Sequence, residues 1–386
     1  MRYYDNIIIG AGQSGLAIAY YLHKDHLDFI IFEKESIASS WRKHYDSLKL
    51  ITPNPFISLS GKKFKSSNKF PSKNEVINYL TNYAKDFKHR IKLNTAVVKI
   101  NKEDDNYVLE TSKGTIYKCK NLIIASGYNG ESFTPEMSKN LNNNVIQYHS
   151  SEYKSLDSFP DQKQNIAVIG SGNSGISIVQ ELSSKHNVSL FQGKVKRFPR
   201  KILGIDIFWW VNTLGLFRIK RGTILGDKLA KKLIPQGDPT YGLYPEKIAK
   251  EYGFNLFERL ASCNGNKLTD SVGKSIDVDG VVWATGYRTN YHKFLPFKIF
   301  DNTNQVQHFR GVTSYRGLYF LGLKWQSNIS SFLIFGVKND AKYIYKKIKK
   351  NYLIPSSFGV KKKLNGERLL KGIKKLSVKN LSNLQK

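Results

Sequence analysis

One piece of strand–turn–helix grammar occurs twice in this chain, and it constrains the fold more than any bulk property. The run Asn6–Ile9 enters the turn Gly10-Ala11-Gly12-Gln13-Ser14-Gly15. A helix-like stretch, Leu16–Leu22, follows, and Phe29–Phe32 reads as a second buried strand that ends at Glu33. The same order returns at Asn165–Ile169, then Gly170-Ser171-Gly172-Asn173-Ser174-Gly175, the helical stretch Ile176–Ser183 and the strand Val188–Phe191. An internal repeat of a nucleotide-binding unit is therefore the main organisational fact.

A lone GxGxxG is weak, but a strand before it and a helix after it give each glycine a task. The first allows the tight turn, the second lets the backbone approach a pyrophosphate, and the third lets helix and strand pack closely. The phosphates then sit at a helix N-terminus, where free N–H groups and the helix dipole favour anions. Glu33 ends the second strand, placed to accept hydrogen bonds from ribose hydroxyls and to repel a 2′-phosphate. The first site is thus expected to take FAD or NAD, with Gly10, Gly12, Gln13, Ser14, Gly15 and Glu33 as its residues. The second turn, with Gly170, Gly172, Asn173, Ser174 and Gly175, has no acid at the matching point. Gln192 stands there, followed by Lys194, Lys196, Arg197 and Arg200. Loss of the acid and gain of cations suits a phosphorylated ribose, so NADPH is expected there, with NADH possible, on Gln192 and Arg197. A solvated basic loop is the alternative. Two dinucleotide sites in one chain imply hydride transfer from nicotinamide to flavin.

Two further strand ends stop at small-small-glycine turns: Leu122–Ile124 into Ala125-Ser126-Gly127, and Gly280–Trp283 into Ala284-Thr285-Gly286-Tyr287. A third run, Leu318–Leu321, ends at Gly322. Gly127 and Gly322 complete the candidate FAD set. The expected fold class is α/β, with two Rossmann-like three-layer dinucleotide-binding domains. The FAD-binding domain covers residues 1–160 and 285–350, the NAD(P)H-binding domain is inserted at 161–284, and 351–386 form a basic tail.

The formal net charge of +31 admits nucleic acid, an anionic membrane or acidic substrates as partners. The excess lysine is spread along the chain beside abundant asparagine, which reads as compositional bias, and no nucleic-acid partner is expected. In the tail, Leu369, Leu370, Ile373 and Leu376 fall at near-helical spacing among lysines. Gly366 and Gly372 weaken such a helix. A helix packed on the body or a disordered end is expected, with a membrane surface as the alternative. The two cysteines, Cys119 and Cys263, form no CxxC, so neither a redox dithiol nor a zinc site is read, and no metal is expected. No apolar signal region follows Met1, and the most apolar later stretch, Ile205–Phe217, is interrupted by Asp206 and Asn212. A cytoplasmic protein in a reducing compartment is expected. The aromatic segment Phe198–Trp210 can line a substrate path, touch a membrane interface, or form an interdomain core.

These motifs, taken in order, resemble the class B flavin-dependent monooxygenases, nearest the bacterial flavoprotein and plant auxin-forming (YUCCA-type) branch. The resemblance covers about residues 4–345. It is carried by GAGQSG with Glu33, Ser40-Trp41-Arg42-Lys43-His44-Tyr45-Asp46-Ser47-Leu48, Thr52-Pro53, Phe70-Pro71-Ser72-Lys73, His149-Ser150-Ser151-Glu152-Tyr153, GSGNSG and Ala284-Thr285-Gly286-Tyr287. It implies that Trp41 and Arg42 lie along the flavin, Arg42 as an electrostatic helper. It also implies that His149 and Tyr153, which match the end of the fingerprint FxGxxxHxxxY, organise the NADPH region. Tyr153 stands where the Baeyer–Villiger branch has tryptophan, which favours the N/S/C-oxygenating type. The phenylalanine and glycine of the fingerprint are not recognisable, and Gln192 stands where many relatives carry arginine. The implied activity is an FAD-dependent, NAD(P)H-consuming monooxygenase. It would insert one oxygen atom of O2 into a small organic substrate through a flavin C4a-hydroperoxide. An NAD(P)H:acceptor reductase of quinone type, or a non-catalytic nucleotide-sensing flavoprotein regulator, is the alternative.

Overall fold

The computed structural model describes residues 1–127, 130–233, 238–288 and 290–352, apart from the side chains of 233, 351 and 352. The tail 353–386, with the apolar spacing noted above, lies outside the described residues. A first sheet runs in the order β3 (Ile91–Lys92), β2 (Phe29–Phe32), β1 (Arg2–Ile9), β6 (Ile116–Ile124), β5 (Asn106–Thr111), β4 (Val97–Glu103). β1 lies parallel between β2 and β6, with Ile8 opposite Ile31 and Ile123. Over Ile7–Ile9, Phe29–Phe32 and Leu122–Ile124 these strands are continuous apolar runs, because both faces of a parallel sheet are covered.

β6 changes partner halfway, and its sequence shows why. Its first half alternates, with Tyr117 and Cys119 buried and Ile116, Lys118 and Lys120 turned outward, and it pairs antiparallel with β5. Its second half, Leu122-Ile123-Ile124, is buried on both faces and pairs parallel with the strand Leu318–Phe320. The chain thus leaves the first sheet after β6 and returns to it almost two hundred residues later. The intervening stretch builds a second sheet, all parallel, in the order 255–257, 187–191, 165–169, 280–283 and 146–149. The last of these strands comes from residues ahead of 161. The structure is therefore α/β with two Rossmann-like units, the second interrupting the first.

Helix α1 (Gln13–Lys24) covers the first sheet and is itself covered by the helix Ile334–Tyr352. The latter buries Ile334, Val337, Ala341, Ile344 and Ile348, one helical stripe, in the same core as Leu16, Ala19 and Leu22. Each isoleucine so buried contributes roughly 1.5–3 kcal/mol. Outside that stripe, Lys349 pairs with Asp25 at 2.5 Å. The helix Asn173–Leu182 does the equivalent work on the second sheet, packing Ile176, Val179 and Leu182 with Val168 and Val282. Tyr45 reaches into this second core from the segment after α2 (Ser39–Arg42), which ties the two units together. No helix among the described residues is long and apolar enough to cross a membrane.

Candidate functional site

The first glycine turn is built by exclusion. Gly10 has φ +108°, and a Cβ there would stand 2.6 Å from the carbonyl oxygen of Ala125 at the end of β6. A Cβ on Gly15 would lie 1.9 Å from the Gly10 carbonyl oxygen, so helix and turn touch backbone to backbone. Around Gly12, by contrast, no heavy atom lies within 4 Å of where a Cβ would be. Gly12 caps α1 without any side-chain hydrogen bond, leaving the first helical N–H groups for a ligand. Glu33 is buried. It accepts from Ala11 N at 2.7 Å, Glu35 N at 3.1 Å and Ser39 Oγ at 3.3 Å, which fixes the carboxylate at the head of the turn. Gly322 (φ +91°) faces Ser14, whose Oγ would be 2.2 Å from a Cβ, and Gln13 Nε2 donates to Phe332 O at 2.7 Å. The second turn repeats the construction, with a Gly175 Cβ 1.8 Å from Gly170 O and open space at Gly172.

A single cleft of about 630 Å³ joins the two turns. Gly10, Gly12, Gln13, Ser14, Glu33, Gly127 and Gly322 stand on one side, and Asn173, Ser174 and Ser177 at the start of the helix Asn173–Leu182 on the other. A pocket whose wall includes the open Gly12 and a helix N-terminus fits the pyrophosphate of a dinucleotide. Asn173 Nδ2 donates to Pro239 O at 3.3 Å, while its buried Oδ1 has no partner among the described residues. A side chamber of about 100 Å³ continues the cleft past Asn173, lined by Phe208, Phe217, Tyr241 and Trp325 and by the ion pair Lys324–Asp238 at 2.7 Å.

The structure sorts the remaining sequence-derived candidates. Trp41 lines the cleft. Arg42 does not: it is exposed, and its Nε donates to Ile37 O at 3.3 Å. Arg197 is brought to the second turn, donating from Nη2 to Ser171 Oγ at 2.9 Å and from Nη1 to Val195 O. Gln192 bonds through its backbone N–H to Phe257 O. The cations that followed it in sequence are separated, because Arg200 turns away to Asp206 (2.8 Å) and Ile51 O (2.7 Å).

His149 and Tyr153 are buried and do not line the cleft. His149 Nε2 donates to Gly286 O at 3.0 Å, while Nδ1 receives Ser151 Oγ at 2.8 Å and Ser151 N at 3.2 Å, a pattern that fits only the neutral ring. Burial pushes its pKa down, in keeping with that. His149 therefore braces the Ala284–Tyr287 turn from behind, while Tyr153 packs beside Phe159 in the core of the second unit.

His44 and Tyr45 are cleft residues to which sequence reasoning gave no role of their own. His44 follows Trp41 by one helical turn, the spacing that would have exposed it. Burial, then the charges of Lys73 and Lys154, pull its pKa down to about 4, so it stands neutral in the cleft. Lys73, itself buried, donates to His44 O at 2.7 Å and to Asp46 at 2.6 Å and so holds this segment against the cleft. The aromatic segment divides between two of its readings. Phe208 enters a core with Phe56 and Phe335, whereas Trp209 faces outward. The thiols are withdrawn: Cys119 and Cys263 are buried, off the cleft, and burial raises the pKa of both, that of Cys263 to about 11.

Comparison with known proteins agrees with this architecture. Residues 7–204 match the family model of pyridine nucleotide-disulphide oxidoreductases. A CzcO-like oxidoreductase of Geobacillus kaustophilus is 38% identical, over 88% of this chain and 97% of its own length. The probable indole-3-pyruvate monooxygenase YUCCA1 of Arabidopsis thaliana is 31% identical, over 82% of this chain and 84% of its own length. The fold is shared with the flavin-containing monooxygenase from Stenotrophomonas maltophilia, at a TM-score of 0.72 and 22% identity, covering 91% of this chain and 100% of that one. The chain is an oxidoreductase and belongs to the pyridine nucleotide-disulphide oxidoreductase family, among relatives that include CzcO-like oxidoreductases and YUCCA-type flavin monooxygenases.

Proposed function

We propose that the chain is an FAD-dependent monooxygenase that consumes NAD(P)H and transfers one oxygen atom of O2 to a small organic substrate. The observation that carries this reading is the cleft shared by Gly12 of one turn and Ser174 of the other. Two nucleotides held on its two sides would meet within it. Bound FAD would supply the ring that accepts hydride and activates oxygen.

The chain's residues supply binding, orientation and dryness. Gly10, Gly12, Gln13, Ser14 and Gly15 offer backbone N–H groups to the FAD pyrophosphate at the head of α1. Glu33, oriented by Ala11 N, keeps lone pairs for the ribose and repels a 2′-phosphate. Gly127, Gly322 and Trp41 complete that wall. Gly170, Gly172, Asn173, Ser174 and Gly175 hold the nicotinamide nucleotide, with Arg197 near the ribose end and NADPH preferred over NADH. His149 acts at second hand, by fixing the Ala284–Tyr287 turn, and Tyr153 by filling the core of the second unit. The aromatic walls of the side chamber exclude water, which protects reactive oxygen intermediates from breakdown.

The aromatic walls of the side chamber support an aromatic organic substrate. An aromatic 2-oxo acid of the kind in the Arabidopsis relative's name is therefore the first to assay. The inaccessible thiols count against a disulfide substrate, since the thiolate is the reacting form. NADPH consumption with oxygenated product and one FAD per chain would support the proposal. Anaerobic turnover with a quinone and no oxygenated product would replace it with an acceptor reductase.

A further inference from the structure

Half of the large apolar side chains left exposed among the described residues fall in one stretch, 202–225. Leu203 is 87% exposed, Ile224 82% and Leu214 66%, with Ile205, Trp209 and Leu225 between 44% and 56%. Monomers rarely leave such side chains together in water. The stretch is held firmly. Ile202 and Ile205 pair in a short hairpin with Leu203 at its tip. Trp210 Nε1 then donates to Ile202 O at 3.0 Å, fastening that hairpin to the helix Ile207–Thr213. Arg221 N donates to Ser327 O at 2.8 Å, and exposed Phe309 packs beside Gly222. Ile207 and Phe208 anchor the inner face of that helix in the core with Phe56, so the outer side chains are surplus to folding.

The charges around this surface select its occupant. Lys201, Arg218, Lys220, Arg221, Lys228, Lys231 and Lys232 are all exposed. Against them stand Asp206, buried and held by Arg200, and Asp227. A second copy of the chain, meeting the same patch about a twofold axis, would bring like charges together. Residues 353–386 carry nine cations against Glu367 and are no better matched. Apolar side chains among cations complement an anionic bilayer interface.

We propose that residues 201–232 dock the protein on an anionic phospholipid membrane, with Leu203, Trp209, Leu214 and Ile224 entering the headgroup layer. This places the membrane-facing surface in the second unit rather than in the tail, and it is independent of the reaction proposed above.

The test uses the full chain and vesicles of phosphatidylcholine, alone or mixed with phosphatidylglycerol. The chain should sediment with the mixed vesicles in a salt-sensitive manner. The variant Leu203→Ser/Leu214→Ser/Ile224→Ser should bind them at least about tenfold more weakly. Its thermal midpoint should be unchanged, because all three side chains are exposed. Brominated phosphatidylcholine in the mixed vesicles should quench tryptophan fluorescence, and Trp209→Phe should keep the binding and lose that quenching. No sedimentation of the wild type, equal sedimentation of the triple variant, or quenching that survives Trp209→Phe would each overturn the proposal. So would a concentration-dependent dimer that the triple variant abolishes, which would make a second copy the occupant.

Discussion

Arg197 donates from Nη2 to the hydroxyl of Ser171 at 2.9 Å, which fixes a guanidinium on the second glycine turn. No carboxylate stands at the adjoining strand end, where Gln192 is neutral. NADPH should therefore be preferred over NADH by roughly tenfold in kcat/KM, about 1.4 kcal/mol of differential binding. Arg197→Ala should remove most of that preference while leaving the NADH value nearly unchanged. A wild-type preference for NADH would show that Arg197 serves only the turn.

The glycines of one turn should fail in different ways. Gly12→Val should leave a folded, colourless protein, because its side chain enters open space that the pyrophosphate needs. Gly15→Ala should lower stability by about 3 kcal/mol, because its Cβ would lie 1.9 Å from the Gly10 carbonyl. Thermal midpoints and flavin absorbance per chain separate the two effects.

Much of this was legible in the sequence because the glycine turns are local: strand, turn, helix and the terminal acid all lie within about thirty residues. The break in β6 is local too, a shift from alternation at Tyr117–Cys119 to a continuous run at Leu122–Ile124, but only the second half was read as a strand from the sequence. Contacts between distant residues were not legible. Lys194–Arg200 looked like one cationic cluster, but Asp206 and Ile51 O draw Arg200 away, and no local pattern encodes that. Trp41 and Arg42 are adjacent in sequence, yet the short α2 turns one into the cleft and the other to solvent.

Arg42→Ala should accordingly change kcat/KM by less than about twofold, as exposed substitutions away from a site generally do. Trp41→Ala should weaken flavin retention, because the indole is part of the cleft wall. Equilibrium dialysis against FAD, followed by steady-state kinetics, distinguishes the two.

Acid should unfold the protein through two partly buried histidines. Burial holds His44 and His308 at about 4 against an ordinary 6.5, so the unfolded chain binds more protons. Stability is then complete above pH 6.5 and falls as pH drops toward 4, by up to about 3 kcal/mol for each ring. Denaturant midpoints taken near neutral pH and at about pH 5 should diverge, and less so in His308→Gln. Parallel pH profiles for wild type and variant would contradict this assignment.

Rapid mixing of the NADPH-reduced, FAD-loaded protein with dissolved O2, followed by absorbance, tests the monooxygenase reading most directly. The account predicts a transient spectrum distinct from both oxidised and reduced flavin, and oxygenated product when substrate is present. Direct return to oxidised flavin with stoichiometric release of peroxide, even with candidate substrates present, would contradict it.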